Sequence, residues 1–159
     1  MSLEIKKNSD PRGGYVLRAE CLLPQELGDV FLFFADAYRL EEITPPWLNF
    51  HVLTPKPLEM RAGQIIDYRL RVRGWPIKWK TAISTWEPPF LFVDEALRSP
   101  YRHWHHEHQF ESCDEGTRVI DTVHYGVPGG ALIHTLFVRR DVEKIFRYRL
   151  QALKRLFAG

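Results

Sequence analysis

The stretch HWHHEH, which runs from residue 103 to residue 108, contains four of the seven histidines in this chain of 159 residues. Imidazole titrates near neutral pH and is the commonest metal ligand in proteins, so the cluster suits acid–base chemistry or metal binding. In an extended strand, alternate side chains point to opposite faces of the sheet. One face then carries His103, His105 and Glu107, and the other carries Trp104, His106, His108 and Phe110. The aromatic residues mark this second face as the inward one.

An acidic residue on the next predicted strand can join the inward histidines. Residues 117–127 follow Asp114-Glu115-Gly116, a turn sequence in which glycine supplies a positive φ, so the two strands pair as a hairpin. Asp121 shares the apolar face of that second strand with Tyr125. An aspartate partner fixes the tautomer of a histidine and prepares it to act as a general base. We therefore identify three candidate catalytic residues: His106, His108 and Asp121.

Two other interpretations of these residues remain open. His106 and His108 could both reach one zinc ion with Asp121 as a third ligand, but the spacing of a four-ligand zinc site is absent, and we assign no metal site. The same residues and Tyr125 can instead form a satisfied polar network that orders a cavity wall. Buried polar groups without partners cost roughly 1–3 kcal/mol, so loss of Asp121 would then destabilise the fold and stop no reaction.

A second pair of acidic residues, Asp94 and Glu95, follows the short apolar stretch from Phe90 to Val93. We place this pair at the end of a strand, beside a loop, and expect a rim contact with Arg102 or His103. No partner spacing supports a catalytic carboxylate pair at this position.

Hydrophobic periodicity predicts the strands and helices that position these residues. Residues 15–23, 64–73 and 77–85 alternate between apolar and polar side chains, which is typical of half-buried strands. Apolar residues between 27 and 43 recur at helical spacing, and this helical region must end before Pro45-Pro46. An apolar stripe from Val138 to Phe157 predicts a helix over about residues 134–157, roughly 36 Å long.

The predicted order is one strand, two short helices, six strands joined by tight turns, and one long helix. Strands joined by tight turns are antiparallel, and a strongly twisted sheet can curl around a helix. We therefore predict an α+β fold with a seven-stranded antiparallel sheet curled around the C-terminal helix. Two short helices after the first strand close one end, and residues 1–159 form a single domain.

Aromatic residues make up 13% of the chain, with five Trp and ten Phe. This exceeds what a tight sheet-and-helix core needs, so we predict a partly hollow interior that binds a small hydrophobic ligand. The expected ligand-binding residues are Trp47, Phe50, Tyr68, Leu70, Trp79, Thr81, Phe92, Trp104, His106, His108, Tyr125 and Phe146.

The overall charge and the cysteine content exclude several other classes of protein. A net charge of +2 is too mild for nucleic-acid binding, and the basic strip Arg69, Arg71 and Arg73 has no interleaved aromatic residues. No apolar run approaches the length of a membrane span. Cys21 and Cys113 lie far apart, which suits a reducing compartment. We expect a cytoplasmic protein without a cofactor, and the oligomeric state stays open.

Five stretches of the sequence, together with the predicted order of elements, resemble the START-like or SRPBCC superfamily with its helix-grip fold. These are ITPPWLNF (43–50), WEPPFLFVDEA (86–96), YRHWHHEHQFE (101–111), GTRVIDTVHYGVPGG (116–130) and IFRYR (145–149). The superfamily includes lipid-binding domains, aromatic polyketide cyclases and birch-pollen-allergen-like proteins. The stretches also resemble a bacterial branch of the superfamily that is often labelled SRPBCC or cell-division-inhibitor-like. The resemblance covers about residues 15–157 and implies a deep cavity for an apolar ligand between sheet and long helix.

Three functions follow as expectations, because one fold can host many activities. The first is non-covalent binding of a lipid, a polyketide-like molecule or another hydrophobic compound. The second is a cyclase or dehydratase reaction in which His106 or His108 is the general base and Asp121 orients it. The third is a protein-interaction module, which an exposed apolar patch near Trp47 and Trp75 would favour.

Overall fold

Eight antiparallel strands form one sheet in the computed structural model, which describes residues 1–158. In chain order the strands are β1 (Ser2–Lys7), β2 (Tyr15–Leu23), β3 (His51–Val52), β4 (Ile65–Val72), β5 (Trp75–Glu87), β6 (Leu91–Arg98), β7 (His103–Cys113) and β8 (Gly116–Gly126). Across the sheet the order is β1-β2-β8-β7-β6-β5-β4-β3. The strands from β3 to β8 therefore follow one another as neighbours, and β2 pairs with β8, so the beginning of the chain lies beside the last strand.

Helical segments connect β2 to β3 and end the chain. The first group consists of α1 (Leu27–Phe34) and two 3₁₀ helices (Ala37–Ile43 and Pro46–Leu48). Asp36 caps the longer 3₁₀ helix, because its Oδ1 accepts a hydrogen bond of 3.0 Å from the backbone N–H of Tyr38. After β8 come α2 (Gly130–Ile133), a π-helical turn (His134–Val138) and α3 (Arg139–Leu156). No helix within residues 1–158 combines the length and apolar character needed to cross a membrane.

The α+β architecture, the antiparallel sheet and the long C-terminal helix confirm the predicted fold class. The predicted strand count was wrong by one, because β1 lies in the turn-rich opening of the sequence. Only Leu3 and Ile5 of β1 are partly buried, so its hydrophobic pattern is weak. Backbone pairing holds this edge strand, with Leu3 opposite Ala19 and Ile5 opposite Leu17.

The interior is solid at one end and open at the other. Aromatic rings of α1 pack edge-to-face on the sheet at the solid end, where the Phe31 and Phe34 centroids lie 5.4 and 5.0 Å from that of Phe110. Two register shifts between β5 and β6, at Lys80/Thr81 and at Ile83/Thr85, interrupt the regular pairing. Such irregularities bend a strand and increase its local twist.

The β7–β8 hairpin sets which side chains meet across the two central strands. Its register places His108 opposite Asp121 and His106 opposite Val123. Gly116 begins β8 with φ +129°, in a region that favours glycine. A Cβ atom at this position would lie 2.1 Å from the backbone oxygen of Leu23. The turn therefore requires glycine, both for its backbone conformation and for its close approach to β2.

We predict that Gly116→Ala lowers the free energy of unfolding by about 2–4 kcal/mol, because it combines backbone strain with a clash against backbone atoms. Urea unfolding followed by circular dichroism measures the change. Gly28→Ala in α1 is the matched control, because its Cβ would meet no atom within 4 Å. It should stabilise the protein slightly, as alanine is the better helix former. Equal stability of the two variants would contradict the role given to the hairpin turn.

Candidate functional site

A cavity of about 1030 Å³ lies between the sheet, the 3₁₀ helices and α3. Most of its wall is aromatic or aliphatic. The structure places most of the predicted ligand-binding residues on this wall: Trp47, Phe50, Tyr68, Leu70, Trp79, Phe92, Trp104, His106, His108 and Phe146. Further apolar residues that the sequence analysis did not select also line it: Phe34, Ile83, Tyr101, Ile133, Val138, Val142 and Ile145.

An ion pair bridges the exposed part of the cavity wall. Arg73 follows β4 and Asp141 lies in the first turn of α3, and both residues line the cavity. The guanidinium donates two hydrogen bonds to the carboxylate, Nε to Oδ2 at 2.9 Å and Nη2 to Oδ1 at 3.0 Å. Nearby, Trp47 is 55% exposed and meets Tyr148 edge-to-face at 5.7 Å. This side of the cavity, between sheet and helix, is therefore the one closest to solvent.

A cluster of charged and polar side chains lies on the deep side of the cavity. We refer to Asp94, His106, His108, Asp121 and Arg149 together as the polar cluster. Four of its members line the cavity, while Asp121 lies behind the two histidines and is 1% exposed. The cluster draws on β6, β7, β8 and α3, so it joins the sheet to the helix.

His108 lies between the two carboxylates of the polar cluster. Its Nε2 is 2.6 Å from Asp94 Oδ2, and its Nδ1 is 3.2 Å from Asp121 Oδ1. Both ring nitrogens face carboxylate oxygens, which favours the protonated ring, and Nδ1 also lies 3.5 Å from Nη2 of Arg149. Burial alone would lower the pKa of His108, but the bonds to Asp121 and Asp94 outweigh burial and raise it. Asp94 shows the matching effect, because the bond from His108 lowers its pKa against the opposing influence of burial.

His106 is in a different protonation state from its neighbour. Burial and the adjacent positive His108 lower the pKa of His106, which outweighs its bond to Asp121. Its Nε2 donates to Asp121 Oδ1 at 2.8 Å. Its Nδ1 lies 3.8 Å from Asp94 Oδ2, too far for a hydrogen bond. The ring is therefore neutral, and the lone pair of Nδ1 accepts no hydrogen bond from residues 1–158.

Arg149 fixes the carboxylate that both histidines share. Its Nε donates to Asp121 Oδ2 at 3.1 Å and its Nη2 to Asp121 Oδ1 at 3.3 Å. Burial would raise the pKa of Asp121, but Arg149 and the two histidine bonds hold it well below its usual range. Two carboxylates thus face one guanidinium and two imidazole rings.

Two predicted ligand-binding residues do not reach the cavity wall. Tyr125 is fully buried, and its hydroxyl lies 2.9 Å from Nε2 of His134, which stacks on Tyr15 at 3.3 Å. It therefore belongs to a separate network and does not join the polar cluster. Thr81 is also buried, and its hydroxyl donates to the backbone oxygen of Glu95 at 3.0 Å. Strand alternation gave the direction of these side chains but could not give their depth.

Two members of the polar cluster were missed by the sequence analysis. The expected rim position of Asp94 was wrong, because β6 continues to Arg98 and Asp94 faces the cavity beside Phe92. Glu95, on the opposite face, contacts His105 at 2.9 Å and neither Arg102 nor His103.

Arg149 follows Phe146 by three residues, so it lies on the apolar stripe of α3. A cation on an apolar helix face is the sequence signal that would have identified it.

We predict that Asp121→Asn lowers the free energy of unfolding by about 3–5 kcal/mol, because it leaves a buried guanidinium without its carboxylate. Urea unfolding at neutral pH measures the loss. The matched control is Glu95→Gln, which removes the charge from the partly exposed His105–Glu95 contact on the other face of the sheet. That change should cost less than about 1 kcal/mol. Similar losses in both variants would show that Asp121 holds no special position in the fold.

The sequence matches one protein family, and the fold is similar to several solved structures. Residues 23–154 match the family described as polyketide cyclase/dehydrase and lipid transport. Ms6760 from Mycobacterium smegmatis has a TM-score of 0.70 at 16% identity, over 99% of this chain and 98% of its own. The di-domain ARO/CYC StfQ of the steffimycin biosynthetic pathway has a TM-score of 0.69 at 12% identity, over 90% and 50%. Ara h 8.0201 has a TM-score of 0.59 at 12% identity, over 87% and 96%.

These similarities confirm the resemblance to the helix-grip superfamily. At such low identity the solved structures show a common fold and nothing about activity. No curated protein matches the chain. The cell-division-inhibitor-like branch finds no support in these matches and stays a prediction. Because the family match extends over residues 23–154, the protein belongs to the polyketide cyclase/dehydrase and lipid transport family.

Proposed function

We propose that this protein binds a small hydrophobic or aromatic molecule, such as a lipid or a polyketide-like compound, in the central cavity. The observation that carries the proposal is a mostly apolar cavity of about 1030 Å³ with a polar cluster at its deep side. Pockets of this size bury most of the surface of a drug-sized ligand. The family description, which names both polyketide cyclases and lipid transport, points to the same class of ligand.

Apolar contact supplies most of the binding energy in this proposal. A ligand that buries about 300 Å² of apolar surface gains roughly 7 kcal/mol, at about 25 cal/mol per Å². Part of this gain offsets the loss of translational and rotational freedom of the ligand. The aromatic rings of Trp79, Trp104 and Phe92 lie on the cavity wall and suit a planar or cyclic guest.

Polar groups at defined positions would orient the ligand. The lone pair of His106 Nδ1 suits a hydroxyl or phenol that donates a hydrogen bond. Tyr68 and Tyr101 also line the cavity, and burial raises the pKa of both phenols, so they stay neutral at physiological pH. The best ligand in this proposal is an apolar molecule with a hydroxyl or carbonyl group at one end.

A second candidate function is enzymatic, and the state of His106 favours it. A neutral imidazole whose Nε2–H is held by Asp121 presents a free lone pair at Nδ1, which is the arrangement of a general base. His106 lines the cavity, so its Nδ1 could remove a proton next to a ligand carbonyl. The His108 ring, whose pKa is raised by Asp121 and Asp94, lies close by with the ring centroids 3.7 Å apart, and in its protonated form would stabilise the negative charge that forms.

We predict that Leu70→Trp lowers affinity for apolar ligands at least about tenfold, because the indole fills the cavity at the position of a wall residue. Native mass spectrometry of freshly purified protein identifies a bound compound, and titration with the fluorescent probe anilinonaphthalene sulfonate measures affinity. Leu97→Trp is the matched control, because Leu97 is 58% exposed and does not line the cavity. If both variants bind the probe as tightly as the unmodified protein, the cavity is not the binding site.

The binding and enzymatic functions separate at His106. We predict that His106→Gln binds the co-purified ligand within about fivefold of the unmodified affinity, because glutamine retains the size and polarity of the site. Mass analysis of the ligand after incubation then tests turnover. A ligand that leaves with unchanged mass from both proteins supports binding alone. A product that lacks one water, formed by the unmodified protein and not by the variant, supports a dehydratase.

A further inference from the structure

We propose that Asp94, His106 and His108 form a binding site for one divalent transition-metal ion at the deep side of the cavity. The ligand atoms are Asp94 Oδ2, His106 Nδ1 and His108 Nε2. This site differs from the arrangement considered from the sequence, because Asp94 takes the place of Asp121 as the carboxylate ligand. The inference goes beyond the proposed function and does not depend on which apolar ligand the cavity binds.

The distances between these three residues suit a small metal ion. One ligand atom from each residue lies within 4.8 Å of the others. His108 Nε2 is 2.6 Å and His106 Nδ1 is 3.8 Å from Asp94 Oδ2. Tetrahedral zinc with bonds of 2.0–2.1 Å separates its ligand atoms by about 3.3 Å, which falls between these two values. The His106 and His108 rings are stacked with their centroids 3.7 Å apart, so the two side chains must turn apart for both lone pairs to point at one ion.

The surroundings of the two histidines strengthen the case. In metal sites, a ligating histidine usually directs its other ring nitrogen to a carboxylate, which fixes the orientation of the ring. Here both histidines do so with the same group. His106 Nε2 lies 2.8 Å and His108 Nδ1 lies 3.2 Å from Asp121 Oδ1. Arg149 in turn holds Asp121, so the shell that orients the ligands is complete.

Charge and ligand chemistry define the class of ion. The carboxylate of Asp94 gives this set of three ligands a negative charge, which favours a cation. Two imidazoles and one carboxylate suit zinc and its first-row neighbours, whereas calcium and magnesium prefer oxygen ligands. All three ligand residues line the cavity, so the remaining coordination positions face it and can accept a ligand oxygen.

Metal binding and the general-base role exclude each other, because both use the lone pair of His106 Nδ1. A metal ion would also replace the direct contact between His108 Nε2 and Asp94 Oδ2. The metal site therefore gives the polar cluster a function that a purely apolar ligand would not require.

The test is a titration of chelator-treated protein with Co²⁺ followed by competition with Zn²⁺. We expect a visible d–d absorption band that saturates at one Co²⁺ per chain and disappears when Zn²⁺ is added. Asp94→Asn and His106→Gln should weaken Co²⁺ affinity at least about 100-fold. His105→Gln is the matched control, because it removes an imidazole from the opposite face of β7 and should leave the affinity unchanged.

Absence of a saturable band in the unmodified protein would overturn the inference. Loss of binding in His105→Gln would also overturn it, because the ion would then lie on the outer face of the sheet. Thermal unfolding establishes that each variant is folded. Should Asp94→Asn fail to fold, His106→Gln and His105→Gln decide between the two faces, and retention of full affinity in a folded His106→Gln would count against the site.

Discussion

The buried carboxylate of Asp121 is the constraint on which the cavity depends. It accepts bonds from His106, His108 and Arg149, and so connects β7, β8 and α3 at one point. A carboxylate that is 1% exposed costs several kcal/mol in lost hydration unless partners replace the water. The three partners supply these hydrogen bonds in place of water, and all three are themselves buried. Removal of any one member would leave the others with unmatched charge or hydrogen-bonding groups.

This arrangement also explains why the interior is not filled. Arg149 extends from the apolar face of α3 to Asp121 on β8, so a long polar side chain spans the gap between helix and sheet. Elsewhere α3 buries Val142, Phe146 and Leu153 in the manner of an ordinary amphipathic helix. Next to the polar cluster, the rings of Phe31, Phe34 and Phe110 close the core, and Cζ of Arg149 lies 5.3 Å from the centroid of the Phe34 ring. The polar cluster therefore lies between the cavity and the solid end of the core.

Strand alternation was enough to predict which side chains of β7 and β8 face inward. Successive side chains of a strand point to opposite faces of the sheet, so each residue has only two possible orientations. His106, His108 and Asp121 were found in this way. The depth of Thr81 and Tyr125 was not predictable, since it depends on how the sheet curves. The prediction placed Asp94 at the rim because it ended the strand at Val93, whereas β6 continues to Arg98. Arg149 was not selected because α3 contains several other Arg and Lys residues. The edge strand β1 shows little hydrophobic periodicity in the sequence, because backbone pairing with β2 holds it in place and few of its side chains are buried.

The polar cluster restricts the possible functions more than the apolar wall does. A cavity that only holds an apolar molecule needs a matching shape and a hydrophobic surface. Neither requires a cluster of five ionisable groups, four of them buried. Such a cluster is costly to build, so its position at the cavity surface indicates a polar task. A ligand hydroxyl, a transferred proton and a metal ion compete for the same atom, His106 Nδ1. Whichever of these three occupies that position determines whether the protein carries its ligand unchanged, reacts with it, or holds it through a metal.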